Sequence, residues 1–315
     1  MPTFKIHHIT SYEYDRPVTE SHNEIRIFPY ACEEQEILEH DLQITGNPAM
    51  LNYTDYWGNR IGQFNLNQAH SELVIESKLV VRTKVPADRT LVFNTGFEQL
   101  QQEISQSLHL LELTKPELIQ RQEAIQEIVR QIYQPWKSVA ATVQDCSQFI
   151  YQYFQYIKGI TDIETTVDQI IEHRSGVCQD FAHVMLQVLR TLKIPSRYVS
   201  GYICPNKNGL RGEGATHAWV ESWIPNYGWC GIDPTNNIWV SNTHVKLAVG
   251  RNFSDCSPVK GTFKGPAHQN LYVYVSVGYE DGHRFEERNQ VNTPPGSSNQ
   301  DFRPTVDQAG RQQQQ

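Results

Sequence analysis

The stretch RSGVCQDFAHVMLQVLRTLKI, residues 174–194, predicts a helix that is buried along one face. Cys178 follows the Ser175-Gly176 turn, and apolar residues recur three, four, seven, eight and eleven positions after it. This spacing is typical of one apolar helix face. It places the Cys178 sulfur on the inward side of the first turn, near free backbone N–H groups and the positive end of the helix dipole. A thiolate is favoured there, although a cysteine in such a position, taken alone, is more often a small core residue.

The bulk composition indicates an acidic chain with room for about two domains. The 315 residues carry a formal net charge of -8, with a pI near 5.8 and a mean hydropathy of -0.52. This charge balance argues against a nucleic-acid partner, and no apolar run is long enough to cross a bilayer. The N-terminal run MPTFKIHHITSYEY lacks the apolar core of a signal peptide, so we expect a cytoplasmic protein with no membrane partner.

The cysteines are scattered along the chain and contain no CxxC pair. In a reducing compartment this predicts free thiols rather than disulfides. A zinc site built from Cys204, Cys230 and His217 can be drawn, but the spacing matches no standard zinc pattern. We therefore expect no metal and no other cofactor.

The chain divides into three predicted regions. Residues 1–95 contain short alternating segments, with turn signals at Asp15-Arg16-Pro17 and at Gly58-Asn59. The alternating segments lie at residues 4–9, 11–14, 24–29, 38–44, 72–76 and 78–83. They predict an all-β, sandwich-like N-terminal domain. Residues 96–285 form the second predicted domain, and residues 286–315 form a polar tail.

The second region combines helices with strands, which predicts an α+β domain. One helix is predicted from Lys115 to about Tyr133, with Thr114 as its N-cap. Further helices are predicted at 138–157, 166–173 and from Cys178 onward. Strands are predicted at 196–204, 216–224, 229–233 and 271–279. The Gly- and Asn-rich residues 205–215 are predicted to form a loop.

Three residue types with complementary chemistry follow one another along this region. A thiol nucleophile such as Cys178 needs a base within hydrogen-bond reach, and the base needs a carboxylate that holds its orientation. His217 lies on a predicted strand, and Asp233 ends the next one. Singly, a strand histidine is more often a packing residue, and an aspartate before proline is a routine turn residue. Together the three residues predict a Cys-His-Asp catalytic triad.

The loop between the two strands tests whether His217 and Asp233 can meet. If Trp223 pairs with Trp229 across the loop 224–228, Trp219 lies opposite Asp233 and His217 becomes its diagonal neighbour. Diagonal neighbours are roughly 7–8 Å apart at the backbone, a gap that two polar side chains can close. A one-residue shift would turn Asp233 to the other face of the sheet. The triad therefore predicts this register.

An oxyanion site needs hydrogen-bond donors around the reacting carbonyl. The Cys178 N–H at the start of the helix is a natural first donor. A second donor is left open, and its candidates are the side chains of Gln179, Trp219 and Trp223. Asp180 and His183 lie on the less apolar side of the helix, so we expect them to make supporting polar contacts or to lie on the surface.

Two long segments strongly resemble the core of the transglutaminase-like superfamily. They are SGVCQDFAHVMLQVLRTLKIPSRYVSGY, residues 175–202, and THAWVESWIPNYGWCGIDPTNN, residues 216–237. HHITSYEYDRPVTESHNEIRIFPY, residues 7–30, and the DYWGNR turn resemble the β-rich N-terminal region of the bacterial transglutaminase-like branch, which is also described as candidate cysteine proteases. A third segment, GRNFSDCSPVKGTFKG at residues 250–265, also resembles this bacterial branch. The resemblance thus covers nearly all of residues 1–280.

The resemblance implies a papain-like α+β core with helices packed on an antiparallel sheet. It also implies that Cys178 is the nucleophile, His217 the base and Asp233 the orienting acid. The calcium sites of animal transglutaminases are not evident, so it implies no metal. We expect a cysteine-dependent hydrolase of peptide or protein amides that forms a thioester. Acyl transfer to an amine, as in a transglutaminase, and a non-enzymatic binding module on the same fold remain alternatives, and the oligomeric state stays open.

Overall fold

The computed structural model describes residues 1–84, 94–161, 165–204, 210–212 and 216–279, and the backbone of residues 284–291. The first region of the chain forms strands. They are β1 (Thr3–Val18), β2 (Glu20–Ile25), β3 (Gln35–Ile44), β4 (Met50–Thr54), β5 (Arg60–Leu66) and β6 (His70–Thr83). β1 and β6 each join two segments that the sequence predicts as separate strands. The predicted turn at Asp15-Arg16-Pro17 is instead an irregularity in the pairing of β1 with β6.

The following residues form helices and then strands, as the sequence predicts. The helical part contains α1 (Phe97–Ser105), α2 (Leu108–Glu112), α3 (Gln122–Ile132), α4 (Val139–Tyr153), β7 (Gln155–Tyr156), α5 (Val167–His173), β8 (Ser175–Gly176) and α6 (Cys178–Thr191). The last part contains β9 (Ser196–Ile203), β10 (Thr216–Ile224), β11 (Gly228–Asp233), β12 (Ile238–Trp239), β13 (His244–Gly250), α7 (Phe253–Cys256), β14 (Val259–Lys264), β15 (Gln269–Tyr279) and β16 (Arg284–Val291). The α+β fold class is confirmed.

The central antiparallel sheet of the second region has the strand order β12-β11-β10-β9-β13. The apolar face of α6 packs on one side of this sheet, where Phe181, Met185 and Leu189 join Val220 of β10 in a single core. The opposite side packs on the first region, where Val199 of β9 and Trp219 of β10 meet Tyr30 and Trp57. Because both faces are covered, every residue of β9 is buried.

The N-terminal strands pair with strands from the end of the chain. One sheet has the order β16-β15-β1-β6-β3 and another the order β14-β2-β5-β4. Residues 259–291 therefore belong to the same sheets as residues 3–83. Strand pairing thus crosses the domain boundary that the sequence predicts at residue 95. The predicted tail start at residue 286 lies inside β16, and residues 292–315 lie outside the described part of the chain.

Two helices differ from their predicted bounds because neighbouring elements take their backbone groups. The predicted start near Lys115 is wrong: α3 begins at Gln122, and the backbone of Glu117 exchanges two hydrogen bonds with the side chain of Gln187 on α6. The Thr114 hydroxyl donates back to Leu111 and caps no helix. α4 ends at Tyr153 rather than near residue 157, because the next residues pair with β8. Among the described helices, none is long and apolar enough to cross a membrane.

Candidate active site

The start of α6 is held by a buried carboxylate. Cys178 is the first residue of α6 and is partly exposed. The preceding Val177 N–H donates to Oδ2 of Asp180 at 2.7 Å, and the Thr161 hydroxyl donates to the same oxygen at 2.6 Å. Asp180 is only 1% exposed, so of the two predicted possibilities it makes supporting contacts and does not lie on the surface. This bonding defines where the helix begins and hence where the sulfur lies.

The register of β10 and β11 brings His217 and Asp233 together. Trp223 pairs with Trp229, which confirms the predicted register, and the ladder continues to Val220 opposite Ile232. The His217 Nε2 atom lies 2.9 Å from Asp233 Oδ2, and both side chains have no exposure to solvent. The diagonal gap between the two strands is therefore closed by one buried hydrogen bond.

Further donors hold the Asp233 carboxylate as an anion. Its Oδ1 atom accepts from the Thr235 N–H at 2.8 Å, and its Oδ2 atom accepts from Asn236 Nδ2 at 2.7 Å. The Nε2 atom of His244 lies 3.5 Å from Oδ2. Burial raises the pKa of Asp233, but the two histidines lower it further, so the pKa falls well below the usual range of a carboxyl group. The carboxylate is thus ionised at every physiological pH.

The His217 ring carries the opposite shift. Burial lowers the pKa of His217, whereas the charges of Asp233 and Cys178 and hydrogen bonding to both raise it, and the net change is upward. The sulfur therefore lies within electrostatic reach of the ring. The other ring nitrogen, Nδ1, is buried and makes no hydrogen bond of good geometry to any described residue. The site thus consists of an imidazole paired with Asp233 on one side and open toward the thiol on the other.

A short segment lies over the His217 ring. Gly212 has φ +79°, and a methyl group on it would approach His217 Nδ1 to 3.1 Å. The backbone N–H of Arg211 donates to Asn236 Oδ1 at 2.7 Å, so the side chain of Asn236 contacts both this segment and Asp233. The loop predicted at 205–215 is described only at residues 210–212, and its other residues lie outside the described part of the chain.

Three side chains of the site have a spacing that a metal ion can bridge. The ligand atoms of His217, Asp233 and His244 all lie within 4.8 Å of one another. An ion there would have to replace the hydrogen bond between His217 and Asp233, and Asn236 already donates to the same carboxylate oxygen. The zinc set drawn from the sequence shares only His217 with this group.

The candidates for a second oxyanion donor differ in their surroundings. The Trp223 indole N–H donates to Glu103 at 2.5 Å, so this donor is already used on α1. The Trp219 indole N–H is buried and has no partner among the described residues. Its nitrogen lies 3.3 Å from the position of a Cβ atom on Gly231, which places it against β11. Gln179 is partly exposed on the first turn of α6.

Two residues of the site are absent from the sequence prediction. Asn236 follows Asp233 by three positions in the run DPTNN. The turn-forming residues of this run could have indicated that the chain folds back and brings Asn236 to the carboxylate. His244 lies eleven positions after Asp233 on a different strand, and no spacing or motif links the two. Only the pairing of β13 with β9 brings His244 to the carboxylate.

Two family models match the chain. The bacterial transglutaminase-like N-terminal region matches residues 4–82, and the transglutaminase-like superfamily core matches residues 126–234. The core match contains Cys178, His217 and Asp233.

The chain is also similar to several individual proteins. Uncharacterized protein ML0607 of Mycobacterium leprae is 31% identical over 87% of this chain and 97% of its own length. A protein-glutamine gamma-glutamyltransferase of Pseudomonas aeruginosa is 36% identical over 38% of this chain, which is 18% of that protein. A crystal structure of a candidate cysteine protease from Cytophaga hutchinsonii has a TM-score of 0.68, with 22% identity, over 93% of this chain and 91% of its own. The chain therefore belongs to the transglutaminase-like superfamily and has the bacterial type of N-terminal region.

Proposed function

We propose that this protein is a cysteine-dependent amide hydrolase that acts on peptides or proteins in a reducing, cytoplasmic setting. In this proposal Cys178 is the nucleophile, His217 transfers protons and Asp233 orients His217. The observation that carries the proposal is the buried 2.9 Å contact between His217 and Asp233, beside a partly exposed cysteine at a helix start. Nucleophilic catalysis by a thiol requires this order of nucleophile, base and orienting acid.

The proposed reaction has two stages. The Cys178 thiolate attacks the amide carbonyl carbon, and the carbonyl oxygen becomes an oxyanion. As the oxyanion collapses, the C–N bond breaks and protonated His217 gives its proton to the departing amine, which leaves a thioester. Neutral His217 then takes a proton from water, and the resulting hydroxide attacks the thioester. Collapse releases a carboxylic acid, and the proton held by His217 restores the imidazolium beside the thiolate.

The shifted pKa of His217 supports this sequence of steps. Because the Asp233 and Cys178 charges raise the pKa of His217, the imidazolium is favoured at neutral pH. A thiolate beside an imidazolium is ready to attack without a prior proton transfer. The low pKa of Asp233 keeps the orienting group charged through both stages.

Transfer of the acyl group to an amine is the second candidate function. The similarity to the Pseudomonas aeruginosa protein-glutamine gamma-glutamyltransferase over 126 residues favours it, although these residues are a small part of that protein. A glutamine-containing peptide incubated with hydroxylamine separates the two reactions. Hydrolysis yields the free acid, whereas transfer yields the hydroxamate, and a preference for the hydroxamate at low hydroxylamine concentration would favour the transferase.

The nucleophile is tested by alkylation with iodoacetamide at about pH 5.5, where an ordinary thiol reacts slowly. Of the described cysteines, Cys178 and Cys32 are partly exposed and the others are buried. Burial raises the pKa of Cys32 to about 11, so Cys32 should stay a thiol and remain unlabelled. We expect rapid labelling of the native protein and of Cys32→Ala, and none of Cys178→Ala.

Amide hydrolysis by the same variants completes this test. Cys178→Ala should lose the activity and Cys32→Ala should keep it. Slow labelling of the native protein at this pH, together with no amide turnover, would instead favour a non-enzymatic binding module. Activity retained by Cys178→Ala would exclude the proposed nucleophile.

A further inference from the structure

Acylation of Cys178 creates an oxyanion, and one backbone donor is positioned to meet it. The Cys178 N–H belongs to the first residue of α6, so it has no acceptor within the helix. Oxyanion sites commonly combine such an N–H with a second donor. We propose, on the basis of the function proposed above, that the hydroxyl group of Tyr156 is this second donor.

Pairing of two short strands places Tyr156 beside the nucleophile. Tyr156 of β7 lies opposite Gly176 of β8, which is two residues before Cys178. The N–H of Ile157, the first residue after β7, donates to the Gly176 carbonyl at 3.0 Å, so the contact between the two segments continues past the strand. The backbone of residue 156 is therefore tied directly to the chain that leads into α6.

The Tyr156 ring is directed by contact with α6. It meets the Phe181 ring edge-on, with centroids 6.2 Å apart. Phe181 follows Cys178 by three positions, so the two residues lie on the same side of the helix. Phe181 is fully buried, whereas Tyr156 is partly exposed. The tyrosine thus has its ring against the buried face of the first helical turn.

The hydroxyl group of Tyr156 borders the same small space as the catalytic imidazole. A methyl group on Gly212 would lie 3.1 Å from His217 Nδ1 and 3.6 Å from the Tyr156 hydroxyl oxygen. Both atoms therefore lie close to Gly212, on the side of the His217 ring that carries Nδ1 and is turned away from Asp233. A carbonyl carbon that is attacked by Cys178, and whose departing amine takes its proton from His217, must lie in this region, which brings its oxygen within range of a phenol donor.

Two of the three candidates named from the sequence fit this position less well. The Trp223 indole is used by Glu103, and the Trp219 indole nitrogen lies against β11. A phenol O–H keeps its proton at neutral pH and donates along one direction, which suits a charge that appears only in the transition state. In this role Tyr156 forms a hydrogen bond to the oxyanion and gives up no proton.

The test compares two reactions of Cys178 that differ only in the need for an oxyanion. Acylation by p-nitrophenyl acetate passes through a tetrahedral oxyanion, whereas alkylation by iodoacetamide displaces iodide directly. We expect Tyr156→Phe to slow acylation by on the order of 10²-fold, the usual effect of losing one oxyanion donor, and to leave alkylation unchanged. Tyr153→Phe, an exposed tyrosine three residues earlier, is the matched control and should change neither rate.

Each outcome decides the proposal. Native acylation rates in Tyr156→Phe would overturn it, and so would an equal loss in both reactions, because that pattern indicates damage to the thiol or the fold. Loss of acylation in Gln179→Ala with none in Tyr156→Phe would assign the donor to Gln179. If p-nitrophenyl acetate fails to acylate Cys178 in the native protein, the proposed function itself fails and the Tyr156 role falls with it.

Discussion

The Asp233 carboxylate accepts hydrogen bonds both from its own turn and from residues that are distant along the chain. His217, Asn236 and His244 all face one of its oxygens, and the Thr235 N–H faces the other. Burial also lowers the pKa of His244, which therefore stays neutral, so the positive charge that balances Asp233 falls on His217. At the scale of single residues, this arrangement assigns the charge of the site.

The pH dependence of amide hydrolysis should report the charge of Asp233. His217 has a raised pKa, so its protonated form persists above the ordinary histidine value of about 6.5 and is lost only as the pH rises through the raised pKa. Asp233→Asn removes the carboxylate that raises this pKa. We expect the alkaline limb of kcat/KM to move to lower pH and kcat to fall by roughly 10⁴-fold, the size of effect known for this substitution in a related triad.

Asp41→Asn is the control for this prediction, because Asp41 is exposed on β3. It should reproduce the native pH profile of kcat/KM. An alkaline limb that keeps its position in Asp233→Asn would contradict the assignment of Asp233 as the group that controls His217.

At the scale of elements, the first turn of α6 depends on a single carboxylate. Oδ2 of Asp180 accepts both the Val177 N–H and the Thr161 hydroxyl. Asp180→Ala leaves these two partly buried donors without their acceptor, at a cost of up to about 1–3 kcal/mol for each unsatisfied group. We expect a lower free energy of unfolding in urea and slower alkylation of Cys178. Asp180→Asn keeps an acceptor oxygen and should lose less, so equal losses in the two variants would argue against this role.

The segment over His217 gives a second prediction at this scale. Gly212 and Gly159 have similar positive φ values, +79° and +81°, but a methyl group would meet His217 only at Gly212 and nothing within 4 Å at Gly159. Alanine therefore strains both backbones, and only Gly212→Ala presses on the imidazole. We expect kcat/KM to fall on the order of 10- to 100-fold in Gly212→Ala, and to stay near the native value in Gly159→Ala. Equal effects would indicate backbone strain alone.

At the scale of the whole molecule, the N-terminal strands and the central antiparallel sheet share buried hydrogen bonds. Asn59, which follows the Gly58 turn, has no exposure to solvent. Its side chain donates to the Val249 carbonyl at 2.8 Å and accepts from the Val249 N–H at 2.8 Å. The Gln35 side chain makes a similar pair with the backbone of Lys246. Strand β1 also pairs with β15 from the end of the chain. Together these contacts lead us to expect that the two regions unfold as one unit.

Asn59→Ala tests this coupling. The substitution leaves the Val249 N–H and carbonyl unsatisfied inside the protein, which costs about 1–3 kcal/mol per group. We expect one thermal transition at a lower Tm, because a single cooperative unit loses stability as a whole. Asn52→Ala, at an exposed position on β4, should leave the Tm unchanged. Two separated transitions in Asn59→Ala would show that the regions unfold independently.

The sequence by itself determined the features that depend on local spacing. The 3.6-residue periodicity after Cys178 predicts α6, and the hypothesis of a triad predicts the hairpin register, Trp223 opposite Trp229, that brings Asp233 to His217. Both are readable because helix and hairpin geometry relate residues only a few positions apart. The fold class was predictable for the same reason, since helices and strands appear in the order that their patterns indicate.

The tertiary structure alone decided the features that depend on residues far apart in the chain. The backbone at Glu117 extends instead of forming a helix because Gln187, seventy positions later, takes its hydrogen bonds. The pairing of β15 with β1, and the approach of His244 to Asp233, likewise have no local signal. Such contacts form only when separate segments pack into one core, because the energy that selects them comes from burial and not from neighbouring residues.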